Sequence, residues 1–166
     1  VEKIITDNKL KVEVANDNSR LQVVISGTKE DLLKAESVII KNGAKKFIHL
    51  NVSSAFHSRL MNSAEEEMKT LLNKVNFQNS SYYIISNFSP KETKDSKIIY
   101  KNLSKQMSNK VRWVESIKCL ENLKENKIIE IGPGNVLSGL IRRISNKFTL
   151  FNINSVKDLY NLIKEV

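Results

Sequence analysis

One cysteine, Cys119, stands in 166 residues, which excludes a disulfide framework and any cysteine-based zinc site. Glycine is also scarce, with five in the chain. Of these, Gly132 and Gly134 follow an apolar run, as phosphate loops do, but the third glycine and the spacing of a dinucleotide fingerprint are missing. The expectation there is a structural tight turn, its shape fixed by Pro133. Walker lysine patterns, His-Glu-x-x-His zinc pairs and a defensible carboxylate pair are absent as well. No stretch is long and apolar enough to span a bilayer, and the first residues form no signal-peptide pattern. The chain is therefore expected to be soluble, in the cytoplasm or in an organelle interior such as a plastid or mitochondrion. Val1 stands where an initiator Met would, and Val1-Glu2-Lys3-Ile4-Ile5 reads as the tail of a helix, as though the chain were entered mid-protein.

What is present is an ordinary globular balance, 40% hydrophobic and 27% charged. The net charge of +9 raises the question of nucleic acid. The Lys and Arg residues are spread over nearly every segment among Asn, Asp and Glu, with no basic run of five, so no nucleic-acid module is read. Positive charge still steers acidic partners toward the molecule.

In chain order, Leu10 to Ala15 predicts a strand, Asn16-Asp17-Asn18-Ser19 a turn, and Gln22 to Ser26 a second strand closed by Gly27. Thr28 with Asp31 predicts a capped helix running to Asn42-Gly43, and Lys45 to Leu50 a returning strand. Two strands, a helix and a strand make most of a ferredoxin-like unit. Beyond it, Leu60, Ala64, Met68, Leu71, Leu72 and Val75 recur at helical spacing, with Glu65-Glu66-Glu67 as the solvated side. Tyr82 to Ser86 predicts a short strand, and Ile98 to Met107 and Trp113 to Leu123 two helices. The strand Lys127 to Ile131, the helix Val136 to Ile141, the strand Phe148 to Ile153 and the helix Val156 to Val166 complete an α/β pattern whose crossover helices demand parallel strands.

The stretch around which this pattern turns is Ser53-Ser54-Ala55-Phe56-His57-Ser58-Arg59-Leu60-Met61. It places His57 at an expected strand-to-helix junction, where α/β proteins hold catalytic side chains. Imidazole is the side chain that takes and returns a proton near neutrality. A lone His is more often a hydrogen-bonded structural residue, so position alone assigns no role, and His49 is read as structural.

The order Gln22 to Gly27, Gly43-Ala44-Lys45-Lys46, Ser54-Ala55-Phe56-His57-x-x-Leu60-Met61, Gln106, Val111-x-Trp113 and Glu130-x-Gly132-Pro133-Gly134-x-Val136-Leu137-x-Gly139-Leu140 resembles the C-terminal half of malonyl-CoA:acyl carrier protein transacylase. The likeness runs over nearly the whole chain. It implies an α/β fold with a partial ferredoxin-like small subdomain over residues 1–50. The C-terminal part of an α/β-hydrolase-like parallel-sheet core would follow over residues 51–166.

It also implies transfer of a malonyl group from malonyl-CoA to the phosphopantetheine thiol of acyl carrier protein, through a serine ester, in type II fatty-acid synthesis. The family's nucleophile lies in a Gly-His-Ser-x-Gly elbow, and no serine of this chain stands in a Gly-x-Ser-x-Gly frame. The chain by itself is thus expected to be inactive, with the missing N-terminal half of the same enzyme as a partner. By the same resemblance His57 is the general base and Gln106 the residue whose backbone carbonyl holds its ring. Phe56 would face the acyl group, with Asn18 and Gln22 toward the coenzyme A side. Lys45, Lys46, Arg142 and Arg143 would form the basic rim where the acidic carrier protein docks. An aromatic residue before the base accompanies malonyl selection in related acyltransferases, although Phe56 reads equally as core beneath the junction. No metal or cofactor is implied, malonyl-CoA being a substrate, and no nucleic-acid or membrane partner. Two alternatives remain open: an acyltransferase domain of a polyketide or multidomain fatty-acid synthase, and a non-catalytic binding module.

Overall fold

The computed structural model describes residues 1–165, so the last residue of the expected final helix, Val166, lies outside the described residues. Helix α1 (Glu2–Asp7) leads into strand β1 (Glu13–Ser19), which pairs antiparallel with β2 (Gln22–Ser26) around a turn at Arg20-Leu21. The expected turn at Asn16 to Ser19 is therefore strand. The ladder absorbs these poor strand formers through register shifts between Val14 and Asn16 and between Asp17 and Ser19. The other edge of β1 is held by the segment before the fifth helix, where Val111 N–H donates to the Ala15 carbonyl (2.8 Å) and Asp17 N–H to the Val111 carbonyl (3.0 Å).

Helix α2 (Lys29–Lys41) begins at Thr28, whose hydroxyl accepts from Asp31 N–H at 3.1 Å and donates to the Asp31 carboxylate at 2.8 Å. It buries Ala35 and Ile39 against Val12, with Ile5, Ile25, Leu32 and Phe47 around them. The strand expected over Lys45 to Leu50 does not form. A strand exists only where its backbone finds a ladder partner, and among the described residues this segment has none. Its Val52 N–H turns back to the Leu50 carbonyl instead (3.0 Å), and Ile48, Leu50 and Val52 leave their side chains in solvent. The imidazole of His49 meets the Glu36 carboxylate at 2.9 Å on the surface.

A short 3-10 turn, Arg59–Met61, precedes helix α3 (Asn62–Leu72), so His57 sits between an irregular extended segment and this turn, not at the end of a strand. In α3 the Glu65-Glu66-Glu67 run is not uniformly solvated. Glu65 is 2% exposed, on the same side as the buried Leu72. Strands β3 (Ile84–Ile85) and β4 (Glu92–Thr93) form a small antiparallel pair, followed by α4 (Ser96–Lys105) and α5 (Trp113–Asn122). Helix α5 packs on β1. Among the described strands the parallel pair is β5 (Lys127–Ile131) with β6 (Thr149–Ile153), in register from Lys127–Thr149 to Ile131–Ile153, and α6 (Val136–Ile144) makes the crossover. Helix α7 (Val156–Glu165) packs on β6. The buried side chains of Ile117 and Ile141 join α5 and α6.

The Gly132-Pro133-Gly134 turn has an internal explanation. Both glycines take positive φ, 141° and 87°, which only glycine adopts without strain. Behind them the Glu130 carboxylate accepts from Leu137 N–H (2.9 Å), Ser138 N–H (2.7 Å) and Asn152 Nδ2 (3.0 Å), while Gly134 N–H is taken by Asn154. A protein carboxylate thus fills the anion-attracting start of α6. Burial resists charge on Glu130, but the hydrogen bonds from Ser138, Leu137 and Asn152 outweigh it and hold the carboxyl below its ordinary range. Among the described residues no helix is long and apolar enough to cross a membrane.

Candidate active site

His57 is held by one turn of chain that comes 49 residues later. Its backbone N–H donates to the Met107 carbonyl at 2.9 Å, and its Nδ1 lies 3.0 Å from the Gln106 carbonyl and 3.2 Å from the Asn109 carbonyl. Carbonyl oxygens only accept, so Nδ1 carries the proton in these contacts. The neutral ring is then left with a free lone pair on Nε2. That is the tautomer a general base requires. To reach this position His57 adopts φ of 61°, in the left-handed region that a β-carbon disfavours, and the three hydrogen bonds to the 106–109 turn offset that strain.

The residues on either side are fixed independently. Ser26 Oγ, at the end of β2, donates to the Phe56 carbonyl at 2.7 Å, and the buried Ser58 donates to the Ala55 carbonyl at 2.7 Å. Glu13 of β1 accepts from Arg59 N–H at 3.0 Å and pairs with its guanidinium at 3.1 Å. The imidazole therefore stands on a backbone clamped from β1, β2 and the turn after α4. Among the described residues no three His, Cys, Asp or Glu side chains gather to hold a metal ion.

A transacylase of polyketide biosynthesis, BaeC of Bacillus velezensis, is 42% identical over 139 residues, 82% of this chain and 47% of that protein. The malonyl CoA-acyl carrier protein transacylase of Synechocystis is 34% identical over 162 residues, 98% of this chain and 54% of that protein. The crystal structure of the Synechocystis enzyme superposes with a TM-score of 0.88 over 96% of this chain and 53% of its own. A complex described as a type II polyketide acyl-carrier protein with its malonyl-transacylase gives 0.90 at 29% identity, over 99% of this chain and 53% of its own. Over nearly its whole length the chain is similar to part of malonyl CoA-acyl carrier protein transacylases. No family model matches it. It spans from 19% to 54% of the length of the relatives it matches.

The other candidate residues are less tightly gathered. Phe56 is 49% exposed with its ring centroid 6.5 Å from that of His57, so it is not core beneath the junction. Asn18 lies in β1 at the second register shift, within strand and not loop, and Gln22 opens β2 opposite Ser19 with its side chain exposed. Lys45 and Lys46 are exposed on the irregular segment after α2, and Arg142 and Arg143 on the last turn of α6. The structure brings His57 to Gln106. Among the described residues no hydrogen bond joins Asn18, Gln22 or the four basic residues to either of them.

Sequence reasoning did not single out Met107, Asn109 or Ser26. Each acts through a backbone or hydroxyl group that carries no motif. Two buried donors, Gln106 Nε2 and Trp113 Nε1, have no hydrogen-bond partner among the described residues.

Proposed function

We propose that this chain supplies the general-base half of a malonyl transferase that moves a malonyl group from malonyl-CoA to the phosphopantetheine thiol of acyl carrier protein. The observation that carries the reading is the contact of His57 Nδ1 with the Gln106 carbonyl, which leaves Nε2 as the acceptor. In the first half-reaction Nε2 takes the proton of a serine hydroxyl as the oxygen attacks the malonyl thioester. It then returns that proton to the departing coenzyme A thiolate. In the second, Nε2 takes the proton of the carrier thiol as its sulfur attacks the serine ester, and gives it back to the serine oxygen. A neutral carbonyl orients the ring but stabilises imidazolium less than a carboxylate would, and no acidic third member is needed to set the tautomer.

The serine belongs to the other half of the fold in this reading, since no Gly-x-Ser-x-Gly frame occurs here. The seat for that half draws on apolar side chains left in solvent here, among them Ile48, Leu50, Val52, Ile129 and Ile131, the last 78% exposed. Phe56 faces the acyl group, Asn18 and Gln22 lie toward coenzyme A, and Lys45, Lys46, Arg142 and Arg143 steer the acidic carrier.

Identity does not choose between a fatty-acid and a polyketide setting: the polyketide transacylases BaeC and PksC are 42% and 40% identical over 139 and 134 residues, and the Bacillus subtilis and Synechocystis transacylases 37% and 34% over 143 and 162. The experiment is malonyl transfer by the intact protein, with and without His57→Ala, to a fatty-acid carrier and to a polyketide carrier. Loss of turnover by a factor on the order of thousands, with coenzyme A binding retained, is expected. Near-unchanged transfer by the variant would sink the assignment of His57 as base, and faster loading of one carrier than the other decides the setting.

A further inference from the structure

We infer that Glu65 is a positioning residue that fixes the tautomer and aim of the His57 ring at one remove, by pinning the 105–109 turn from outside; the inference rests on reading His57 as the base. Glu65 sits on the buried face of α3 with 2% of its surface exposed. A carboxylate in such a place is tolerated only when its oxygens are fully engaged. Oε1 accepts from Lys105 Nζ at 2.7 Å and pairs with Lys69 Nζ at 3.2 Å, and Oε2 accepts from the Ser108 hydroxyl. Burial resists its charge, but the hydrogen bonds from Lys105, Ser108 and Lys69 prevail and hold the carboxyl below its ordinary range.

Two of those three donors, Lys105 and Ser108, bracket Gln106 and Met107. Asn109 completes the loop, its Nδ2 donating to the Lys105 carbonyl at 2.9 Å and to Ser108 Oγ at 3.0 Å. The turn is thereby cross-linked to itself and to α3. Its three inward carbonyls, those of Gln106, Met107 and Asn109, are the ones that receive Nδ1–H and the backbone N–H of His57. Among the described residues no other group hydrogen-bonds His57 Nδ1. If the Glu65 anchor is lost, Lys105 and Ser108 have no buried partner on α3, and the carbonyl pair is free to rotate away from the ring. An imidazole without that pair populates both tautomers, and the one protonated on Nε2 cannot act as base.

The test uses the intact protein, 15N-labelled at histidine, with His57 assigned by comparison with His57→Gln. In the wild type the long-range 15N–1H pattern should report a single tautomer protonated on Nδ1, with a slowly exchanging proton. Glu65→Gln keeps the shape but removes the charge that holds both lysine and hydroxyl. It is expected to mix the tautomers and speed exchange of the Nδ1 proton at least about tenfold. It should also lower kcat for malonyl transfer about tenfold to a hundredfold, as a displaced catalytic group does, with KM for malonyl-CoA within about twofold. Ser108→Ala, which leaves the Glu65–Lys105 pair in place, should shift the same signals less far. It decides the matter should Glu65→Gln fail to fold.

An unchanged His57 pattern in a folded Glu65→Gln protein, or in Ser108→Ala if the former does not fold, overturns the inference. So does a fall in kcat with the pattern intact, since that is a merely structural effect. Tautomer mixing with no fall in kcat leaves Glu65 as the positioning residue and removes His57 as the base.

Discussion

Replacing Glu130 with Ala tests what the Gly132-Pro133-Gly134 turn is for. The substitution takes an acceptor from Leu137 N–H, Ser138 N–H and Asn152 Nδ2. Leu137 is exposed, so water takes over its N–H at small cost, about 0.5–1 kcal/mol for a lost cap. Ser138 is 1% exposed and its N–H has no such substitute, so an unsatisfied buried donor costs about 1–3 kcal/mol more. The sum is about 1.5–4 kcal/mol. At roughly 2–4 °C per kcal/mol for a chain of this size or somewhat larger, Tm should fall by about 3–16 °C in a thermal melt followed by circular dichroism.

Phosphate provides the second arm. In the wild type the α6 start is already occupied by a carboxylate, so millimolar phosphate should leave Tm unchanged. In Glu130→Ala the vacated N–H groups should bind it and regain part of the loss. The pH dependence has a definite sign. The carboxyl lies below its ordinary range in the folded protein, so its stabilisation is present above the unfolded value near pH 4.3 and is lost as pH falls through the lower folded value. Glu130→Gln should flatten that acid limb. A drop in Tm under about 2 °C for the Ala variant, or phosphate stabilising the wild type as much as the variant, would refute a structural role for the turn.

Other outcomes follow from the site. Phe56→Ser should narrow the preference for malonyl over methylmalonyl in the intact protein, since crowding one methyl costs about 1–3 kcal/mol, or roughly tenfold to a hundredfold; an unchanged ratio of the two rates removes Phe56 from selectivity. Reversing the charge of Lys45 and Arg142 together should slow loading of acyl carrier protein and flatten its salt dependence while sparing a small thiol acceptor. Equal loss with both acceptors points to misfolding instead. Acid should also loosen the turn behind His57: the Glu65 carboxyl lies below its ordinary range, so its hold on Lys105 and Ser108 persists above the ordinary carboxylate value and fails as pH falls through the lower folded value. Exchange of the His57 Nδ1 proton followed down that limb in wild type and Glu65→Gln should converge, and parallel curves would contradict it.

Where local chemistry suffices, the chain is legible. The run Lys127 to Ile131, bounded by a turn that needs positive φ twice, forms β5 over those residues, and Thr28 with Asp31 starts α2 as its capping pattern dictates. Where a partner decides, it is not. Phe47 to Val52 has the composition of a strand but no ladder, because propensity describes the side chains and a strand needs a neighbouring backbone. The converse holds for Asn16 to Ser19, whose residues favour turns yet lie in β1. There a bridge to Val111 supplies hydrogen bonds that local side-chain competition cannot match.

The candidate site divides along the same line. His57 stands out because imidazole is rare here, two in the chain, and sits in a small-residue corner. The groups that hold it are backbone carbonyls of Gln106, Met107 and Asn109, and any residue type offers a carbonyl. Glu65 is the intermediate case, since three consecutive glutamates look like a solvated face until they are placed on a helix. Residues 65, 68, 69 and 72 then share a side, and with Leu72 buried one glutamate of the three must point inward. A buried carboxylate in turn demands cations within reach. Lys69 is visible four residues on, whereas Lys105, 40 residues away, is not. Helical register therefore gives away the burial of Glu65. Only the tertiary fold, which returns α4 alongside α3, reveals that its counter-ion belongs to the turn that grips the imidazole.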